Sequence, residues 1–371
     1  MSSRKSEPNG DGANKLSKLR ADIDKYDSQI LDLLNKRAGV ASQIGKEKAK
    51  TGGEVFNAAR EEAVLAAIIK AHKGPLQEVT IKAIFRELIS GSRALQSVQR
   101  VAFLGPDYSY SHIAAIERFG QSAEYSRVGS IQAVFDEIGR KHANFGVVPL
   151  ENSTDGRIAD TLDCFVRNPG IKICAEIRLR VHHHLLANCQ PAEVRRVYSK
   201  AQALSQCRQW LSKNMPHAST HEVSSTADAA RLVQSEQFSA AIASRQAGVR
   251  YGLKTLFASI EDYSENETRF AVVALNDSQK TGNDKTAALF QIAHTPGSLA
   301  DVLTAFKSNR INLTWIESFP YRDAKGEYVF FVDFEGHQEE PKVKKALKTV
   351  SDLCDEIHIL GSYPVSLATD E

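Results

Sequence analysis

Apolar residues recur at alternating three- and four-residue steps through Leu16, Leu19, Ile23, Tyr26, Ile30, Leu33, Leu34, Val40, Ala41 and Ile44, a spacing that keeps one stripe on one side of a helix. It predicts one long amphipathic helix. Gly52-Gly53 ends that segment, Asn57 to Ala71 reads as a shorter helix, Gly74-Pro75 interrupts again, and Leu76 to Gln96 carries a third stripe. Residues 15–98 therefore form an all-α head, behind a polar lead over residues 1–14 that has little to bury and is expected to be disordered. Past Arg100 the period changes. Val101–Leu104, Phe145–Pro149, Val194–Ser199, Ala240–Ser244 and Ala271–Leu275 read as strands between helices, and Ile171–Ala187 as a long strand or a bent pair. Residues 99–276 thus predict a two-lobed α/β domain with loops facing a cleft. A polar linker follows over Asn276–Asp284, and residues 285–371 then read Thr286–His294, Ser298–Ser308, Asn312–Phe319, Gly326–Phe334, Lys342–Cys354 and His358–Tyr363. That order is β-α-β-β-α-β, a small ferredoxin-like α+β module.

Composition narrows the function classes. With 371 residues, 42% of them hydrophobic and 25% charged, the chain is a multidomain globular protein. A net charge of +2 with scattered Lys and Arg offers no single-sign field, which argues against nucleic acid or a membrane as partner. Five cysteines without a C-x-x-C pair or a signal-like segment point to reduced thiols in the cytoplasm. The apolar runs are too short to cross a bilayer.

Three clusters carry candidate chemistry. In Glu265-Asn266-Glu267-Thr268-Arg269-Phe270, just ahead of Ala271–Leu275, an arginine beside a hydroxyl could hold a carboxylate and steady a departing oxygen. A solvated cap or turn is the plainer reading of the hexamer alone. On the first helix Arg37 and Lys48 are eleven residues apart, within about 20° of one face and roughly 16 Å along the axis, so two long side chains can converge on one small ligand. Ser92 and Gln96 place hydrogen-bonding groups where the third stripe wants apolar ones; a coiled-coil dimer arm with snorkelling cations is the alternative. In the α/β region, Ser109 and Ser111 follow Gly105-Pro106 at a helix start, and Leu150-Glu151-Asn152-Ser153-Thr154-Asp155-Gly156 forms a polar loop at a strand's carboxyl end, the ligand side of an open α/β sheet. Neither G-x-G-x-x-G nor a Gly-Lys-Ser loop is present, so nucleotide binding is unsupported. In His182-His183-His184 alternate side chains on a strand would point to opposite faces, and packing is favoured over a metal.

The head resembles the all-helical chorismate mutases through Leu19-Arg20, Leu33-Leu34-Asn35-Lys36-Arg37, Gly45-Lys46-Glu47-Lys48, Arg60-Glu61 and Ser92 to Gln96. The resemblance implies an intertwined homodimer in which Arg37 and Arg60 hold substrate carboxylates and Arg20 reaches the partner's site. Glu61 and Ser92 would contact the substrate, Lys48 and Gln96 would donate to its ether oxygen, and Asn57 stands where some relatives carry an aspartate near the hydroxyl. The residue types suit a rearrangement that needs a folded conformer and donors aimed at an oxygen gaining charge, with no proton transfer.

The middle resembles prephenate dehydratase through Ala102–Pro106, Ser109-Tyr110-Ser111, Pro149–Ser153, Ser225-Thr226-Ala227, Tyr251-Gly252-Leu253 and Asn266–Phe270. By that resemblance Thr268 assists hydroxide departure, while Arg269, Ser109, Asn152, Ser153, Gln202 and Thr226 hold prephenate. Tyr108 replaces the family's usual glycine. The end resembles the ACT ligand-sensing domain, whose phenylalanine site would fall at Gly297, Ser298, Leu299, Glu317 and Ser318, with Phe319 where arginine is usual. Together the three resemble the bifunctional chorismate mutase/prephenate dehydratases, which implies chorismate and prephenate as substrates, phenylalanine as effector, a dimer or higher oligomer, and neither metal nor organic cofactor. Two rivals remain: a non-catalytic ligand-sensing dimer, and a dehydratase with an inactive mutase head.

Overall fold

The computed structural model describes residues 10–52, 55–153, 156–263, 265–320 and 328–370. Residues 1–9 of the expected lead, Gly53 of the first helix stop, Thr154 and Asp155 of the polar loop, and Gly326 of the fourth terminal element lie outside them. The chain divides into two compact units, one comprising residues up to Phe56 together with Gly91–Val98, the other Asn57–Ser90 with Gln99–Glu371.

The first hundred residues form three helices, α1 (Gly10–Thr51), α2 (Ala58–Ala71) and α3 (Glu78–Ala94). Helix α1 already runs through residues 10–14, and the stripe read from the sequence is its exposed apolar face, with Leu19, Tyr26 and Leu33 all more than half exposed. Asn57 caps α2 by accepting the Arg60 N–H at 2.8 Å.

The α/β region follows as β1 (Arg100–Leu104), α4 (Tyr110–Phe119), β2 (Glu124–Val128), α5 (Ile131–Gly139), β3 (Phe145–Asn152), β4 (Gly156–Arg157), α6 (Ala159–Arg167), β5 (Lys172–Arg180), β6 (His184–Ala187), β7 (Arg196–Ser199), α7 (Ala201–Gln206), α8 (Arg208–Asn214), β8 (Ser219–Glu222), α9 (Thr226–Val233), β9 (Ser239–Ala243), α10 (Arg245–Tyr251), β10 (Lys254–Phe257) and β11 (Glu267–Ala274). The terminal module is β12 (Asp284–Gln291), α11 (Ser298–Ser308), β13 (Leu313–Pro320), β14 (Tyr328–Glu335), α12 (Pro341–Leu353) and β15 (Glu356–Pro364), closed by β16 (Ala368–Asp370). Sequence periodicity misses the short β2 and β8, which bury too little to alternate, β8 being exposed throughout.

Two sheets build the two lobes, ordered β16-β5-β11-β3-β1-β2 and β10-β6-β9-β7-β8. Ile171–Ala187 is the bent pair: β5 lies in the first sheet, β6 in the second, and Val181 to His183 cross between them. His182 and His183 are thus at the lobe junction outside any strand, and His184 opens β6. β3 extends through Asn152 and β11 begins at Glu267, so residues read as loop or strand mouth pair directly, Thr268 opposite Asn152 and Arg269 opposite Glu151.

The third sheet runs β13-β14-β12-β15. Its strand β14 has two dissimilar faces: Phe330, Val332 and Phe334 pack with Val302, Phe306 and Val343 of the module's own helices, whereas Val329 and Phe331 join Phe135, Phe165, Ile173 and Val273 of the first lobe. One apolar core therefore runs through lobe and module, and burying each such Phe is worth roughly 1.5–3 kcal/mol. Backbone contact reinforces it. A side chain at Gly361 (φ 142°) would meet the Ile173 carbonyl oxygen at 2.2 Å, so only glycine lets β15 lie against β5. Strand β16, within the residues expected to belong to the module, adds in parallel to β5 of the first lobe.

Candidate active sites

In the first lobe β11 lies between β3 and β5 and carries the hydroxyl of Thr268 next to the side chain of Asn152. Asn152 Nδ2 donates to Thr268 Oγ1 at 2.8 Å and to Asn266 Oδ1 at 3.2 Å. Asn266 Nδ2 donates to Gln206 Oε1 at 3.0 Å, and the same oxygen lies 2.8 Å from His183 Nε2. Gln206 Oε1 thus faces both Asn266 and His183, while Gln206 Nε2 is buried without a hydrogen-bond partner among the described residues. Beyond His183, Tyr110 donates to the His182 carbonyl at 2.8 Å and stands 3.2 Å from His183 Nδ1. All four inner members are nine-tenths buried or more, with Thr268 at 9% exposure. The polarity of the chain has a chemical result: Thr268 Oγ1 receives a hydrogen bond, so its own proton is available to another acceptor.

Sequence reasoning missed His183, Gln206 and the use of Asn266 as a link. The signal for His183 was the triple histidine itself. Each ring is engaged: His182 Nδ1 with Glu261 at 2.8 Å, and His184 Nδ1 accepting the Ser259 N–H at 3.1 Å. Among the described residues no three His, Cys, Asp or Glu side chains gather as metal ligands.

The other predicted dehydratase residues take positions set by the sheet. Ser109 follows β1 and caps α4, accepting from the His112 N–H at 3.4 Å and donating to the Leu104 carbonyl at 3.0 Å. Gln202 and Thr226 stand in the first turns of α7 and α9, after β7 and β8. All three lie past the carboxyl ends of parallel strands. Ser153 accepts the Glu267 N–H at 2.9 Å and donates to the Glu265 carbonyl at 3.3 Å, tying the end of β3 to the start of β11.

Arg269, expected on substrate beside Thr268, is its neighbour on β11, where consecutive residues point to opposite faces. Its Nε is bonded to Glu176 and its Nη2 to Asp333 of β14, with the Tyr363 hydroxyl 3.0 Å away and the Trp315 ring beneath at 5.4 Å. Burial alone would pull its pKa down; Asp333, Tyr363 and Glu176 instead hold it well above the usual arginine value.

Tyr108 adopts φ 62°, the left-handed conformation that a glycine accommodates freely. Its N–H donates to His112 Nδ1 at 3.0 Å, and its ring lies 6.4 Å from that of Tyr251 and 5.8 Å from the Arg250 guanidinium. Since Arg250 and Tyr251 belong to α10, this side chain spans the two lobes.

In the head, Arg37 is bonded to the Ser92 hydroxyl, and Gln96 Nε2 donates to the Ser92 carbonyl at 3.1 Å, leaving a second N–H. Lys48 Nζ reaches the Val55 carbonyl at 3.4 Å. Gly45 permits this arrangement, because a Cβ there would lie 2.7 Å from Gln96 Cγ. Arg20 is exposed on α1, while Arg60 and Glu61, in the first turn of α2, belong to the second unit. Besides capping α2, Asn57 donates one side-chain N–H to Gln279 Oε1 at 2.8 Å.

In the terminal module a cavity of about 410 Å³ is lined by Ile292, His294, Gly297, Ser298, Leu299, Tyr328 and Phe330, among others. Ser298 Oγ lies 2.6 Å from Thr295 Oγ1. The cavity gathers Gly297, Ser298 and Leu299 but neither Glu317 nor Ser318, which are on β13.

Family models match each part of the chain: chorismate mutase type II over residues 19–97, prephenate dehydratase over 101–278 and the ACT domain over 288–352. A prephenate dehydratase from Arthrobacter aurescens, solved in complex with L-Phe, superposes with a TM-score of 0.68 at 27% identity, covering 72% of this chain and 90% of that one. A chain described as a quorum-quenching acylase also superposes, with a TM-score of 0.65 at 26% identity over 72% of this chain and 98% of its own; the fold is shared, and chemistry rests on the site. Fold and site thus define a prephenate dehydratase joined to an ACT domain. The bifunctional chorismate mutase/prephenate dehydratase of Pseudomonas aeruginosa is 40% identical over 358 residues, 95% of this chain and 98% of that protein. This chain belongs to the family of bifunctional chorismate mutases/prephenate dehydratases.

Proposed function

We propose that the protein rearranges chorismate to prephenate in its helical head and converts prephenate to phenylpyruvate in the two-lobed domain, with phenylalanine acting at the ACT cavity. The observation that carries the dehydratase assignment is the Asn152–Thr268 pair, in which the threonine oxygen accepts and its proton is left to give. As prephenate loses its ring carboxylate as carbon dioxide, the freed electron pair enters the ring and the ring C–O bond breaks. A hydrogen bond from Thr268 stabilises the departing oxygen, which leaves as hydroxide and ends as water. Aromatisation supplies the driving force, so a positioned donor and exclusion of water suffice. Ser109, Ser153, Gln202 and Thr226 serve as substrate-holding groups at the strand ends.

In the head, Arg37 and Ser92 hold a substrate carboxylate, and Lys48 with the second N–H of Gln96 donates to the ether oxygen. Arg60 and Glu61 are assigned to chorismate on the family resemblance. The exposed apolar face of α1 is covered by a second copy of the chain, whose site Arg20 serves. A cavity of about 410 Å³ suits one amino acid, within the roughly 300–1,000 Å³ of small-molecule sites. We place the protein in the cytoplasm, where five cysteines without a C-x-x-C pair stay reduced; no helix among the described residues is long and apolar enough to cross a membrane. Two assays test the reading, chorismate loss followed by absorbance and phenylpyruvate formation in the same preparation. Loss of the first alone would mark an inactive head, and loss of both a sensor without chemistry.

A further inference from the structure

Arg269 sits one residue from the proposed proton donor, and its guanidinium is bonded to acidic side chains of the protein. Its fork is occupied by Glu176 of β5, Asp333 of β14 and Tyr363 of β15, and Lys285 of β12 completes the group at 3.8 Å from Glu176. Glu151 of β3 stands a further 3.8 Å from Arg269 Nη1, so two cations meet three carboxylates; Tyr363 Oη donates to Asp333 Oδ1 at 3.2 Å, and Glu176, Asp333 and Tyr363 are almost wholly buried. A surface ion pair positions little, but a buried and fully hydrogen-bonded one fixes geometry, because any displacement strands a charge.

Strand order decides what this group holds. Arg269 and Thr268 are consecutive on β11, so anchoring the guanidinium on one face sets the position of the hydroxyl on the other. Asp333 is also a residue of β14, whose opposite face presents Tyr328 and Phe330 to the ACT cavity. One strand thus carries the cavity wall on one side and the counter-ion of Arg269 on the other.

Resting on the dehydratase reading above, we propose that Arg269 is a positioning residue which, through Asp333 and Tyr363, makes the ACT sheet a structural part of the dehydratase site. It does not bind prephenate. The role differs from that of a substrate clamp in a measurable way, since misplacing Thr268 lowers turnover whereas losing a clamp weakens binding.

The test uses the full-length protein and two nearly isosteric variants, Asp333→Asn and Tyr363→Phe, with kcat and KM for prephenate measured beside mutase turnover. The expected result is a kcat about 10- to 100-fold lower for Asp333→Asn and a smaller drop for Tyr363→Phe, with KM within about twofold and mutase turnover unchanged. Tyr363→Phe removes only a hydroxyl and retains the ring, so it keeps the proposal testable if Asp333→Asn fails to fold. Unchanged kcat in the folded variants overturns the positioning role. So does an Arg269→Gln protein whose prephenate KM rises more than about tenfold at constant kcat, because that is the signature of a substrate clamp. Wild-type protein that forms no phenylpyruvate would instead overturn the dehydratase reading itself.

Discussion

Asn152 donates its side-chain N–H to Thr268 Oγ1 at 2.8 Å, across two antiparallel strands that set the residues opposite each other. The direction of this bond matters more than its length. Replacing Asn152 with Ala removes the donor that orients the hydroxyl, and dehydratase kcat should fall by about 10²–10³-fold, as for loss of a preorganised donor. Asn152→Asp should fall further, because a carboxylate accepts the threonine proton and withdraws it from the substrate. Steady-state phenylpyruvate formation distinguishes the two; equal activity in Asp and wild type would mean that the hydroxyl is not a donor.

The two activities should separate by mutation. Lys48→Ala removes the cation that the proposed function assigns to the ether oxygen, and mutase turnover should fall by about 10²–10³-fold while phenylpyruvate formation from supplied prephenate stays within twofold. Chorismate absorbance and phenylpyruvate absorbance on one preparation check this.

Gly45→Ala tests the packing beneath the mutase residues. Alanine gains about 1 kcal/mol of helix propensity over glycine, but its Cβ would lie 2.7 Å from Gln96 Cγ and 3.0 Å from Gln96 Cα. Overpacking of this kind costs roughly 1–3 kcal/mol, so the clash should prevail and displace Gln96. A fall in mutase kcat with a lowered melting temperature is expected; a higher melting temperature with full activity would show that the close approach is not needed.

Acid should loosen the dehydratase cleft through His112. Burial holds its pKa below the usual 6.5, with Asp107 opposing, and its neutral ring accepts the Tyr108 N–H while stacking on Phe103 at 4.4 Å. A depressed histidine pKa means that the unfolded chain binds the proton more readily. Stability from this group is therefore complete above pH 6.5 and is lost as pH falls through the folded-state value. Melting temperatures at about pH 7.5 and 5.5 should differ less in His112→Gln than in wild type; an equal difference would exclude His112 as the cause.

Much of this was legible in the sequence, and the failures share a physical origin. The stripe on α1 and the β-α-β-β-α-β order of the last module are long periodic patterns, and each reads directly. Thr268 and Asn152 were singled out as site residues, but as parts of a strand mouth and a loop, since polar residues within strands mimic turns until their partners are known. Which face Arg269 uses cannot be read without knowing where β11 begins, and a shift of one residue inverts the answer. The link through Asn266, Gln206 and His183 joins residues 60 and 23 positions apart, which no local window can see. Asn57 was read as the first residue of the second helix and as a substrate contact, and the structure makes it the cap of that helix, the common use of asparagine at a helix start.

The most direct test of the account is the full-length Thr268→Ala protein assayed for both reactions. The account predicts a loss of phenylpyruvate formation of about 10²–10³-fold with chorismate consumption unchanged, and partial recovery in Thr268→Ser, which restores the hydroxyl. Phenylpyruvate formation at the wild-type rate in Thr268→Ala would contradict it.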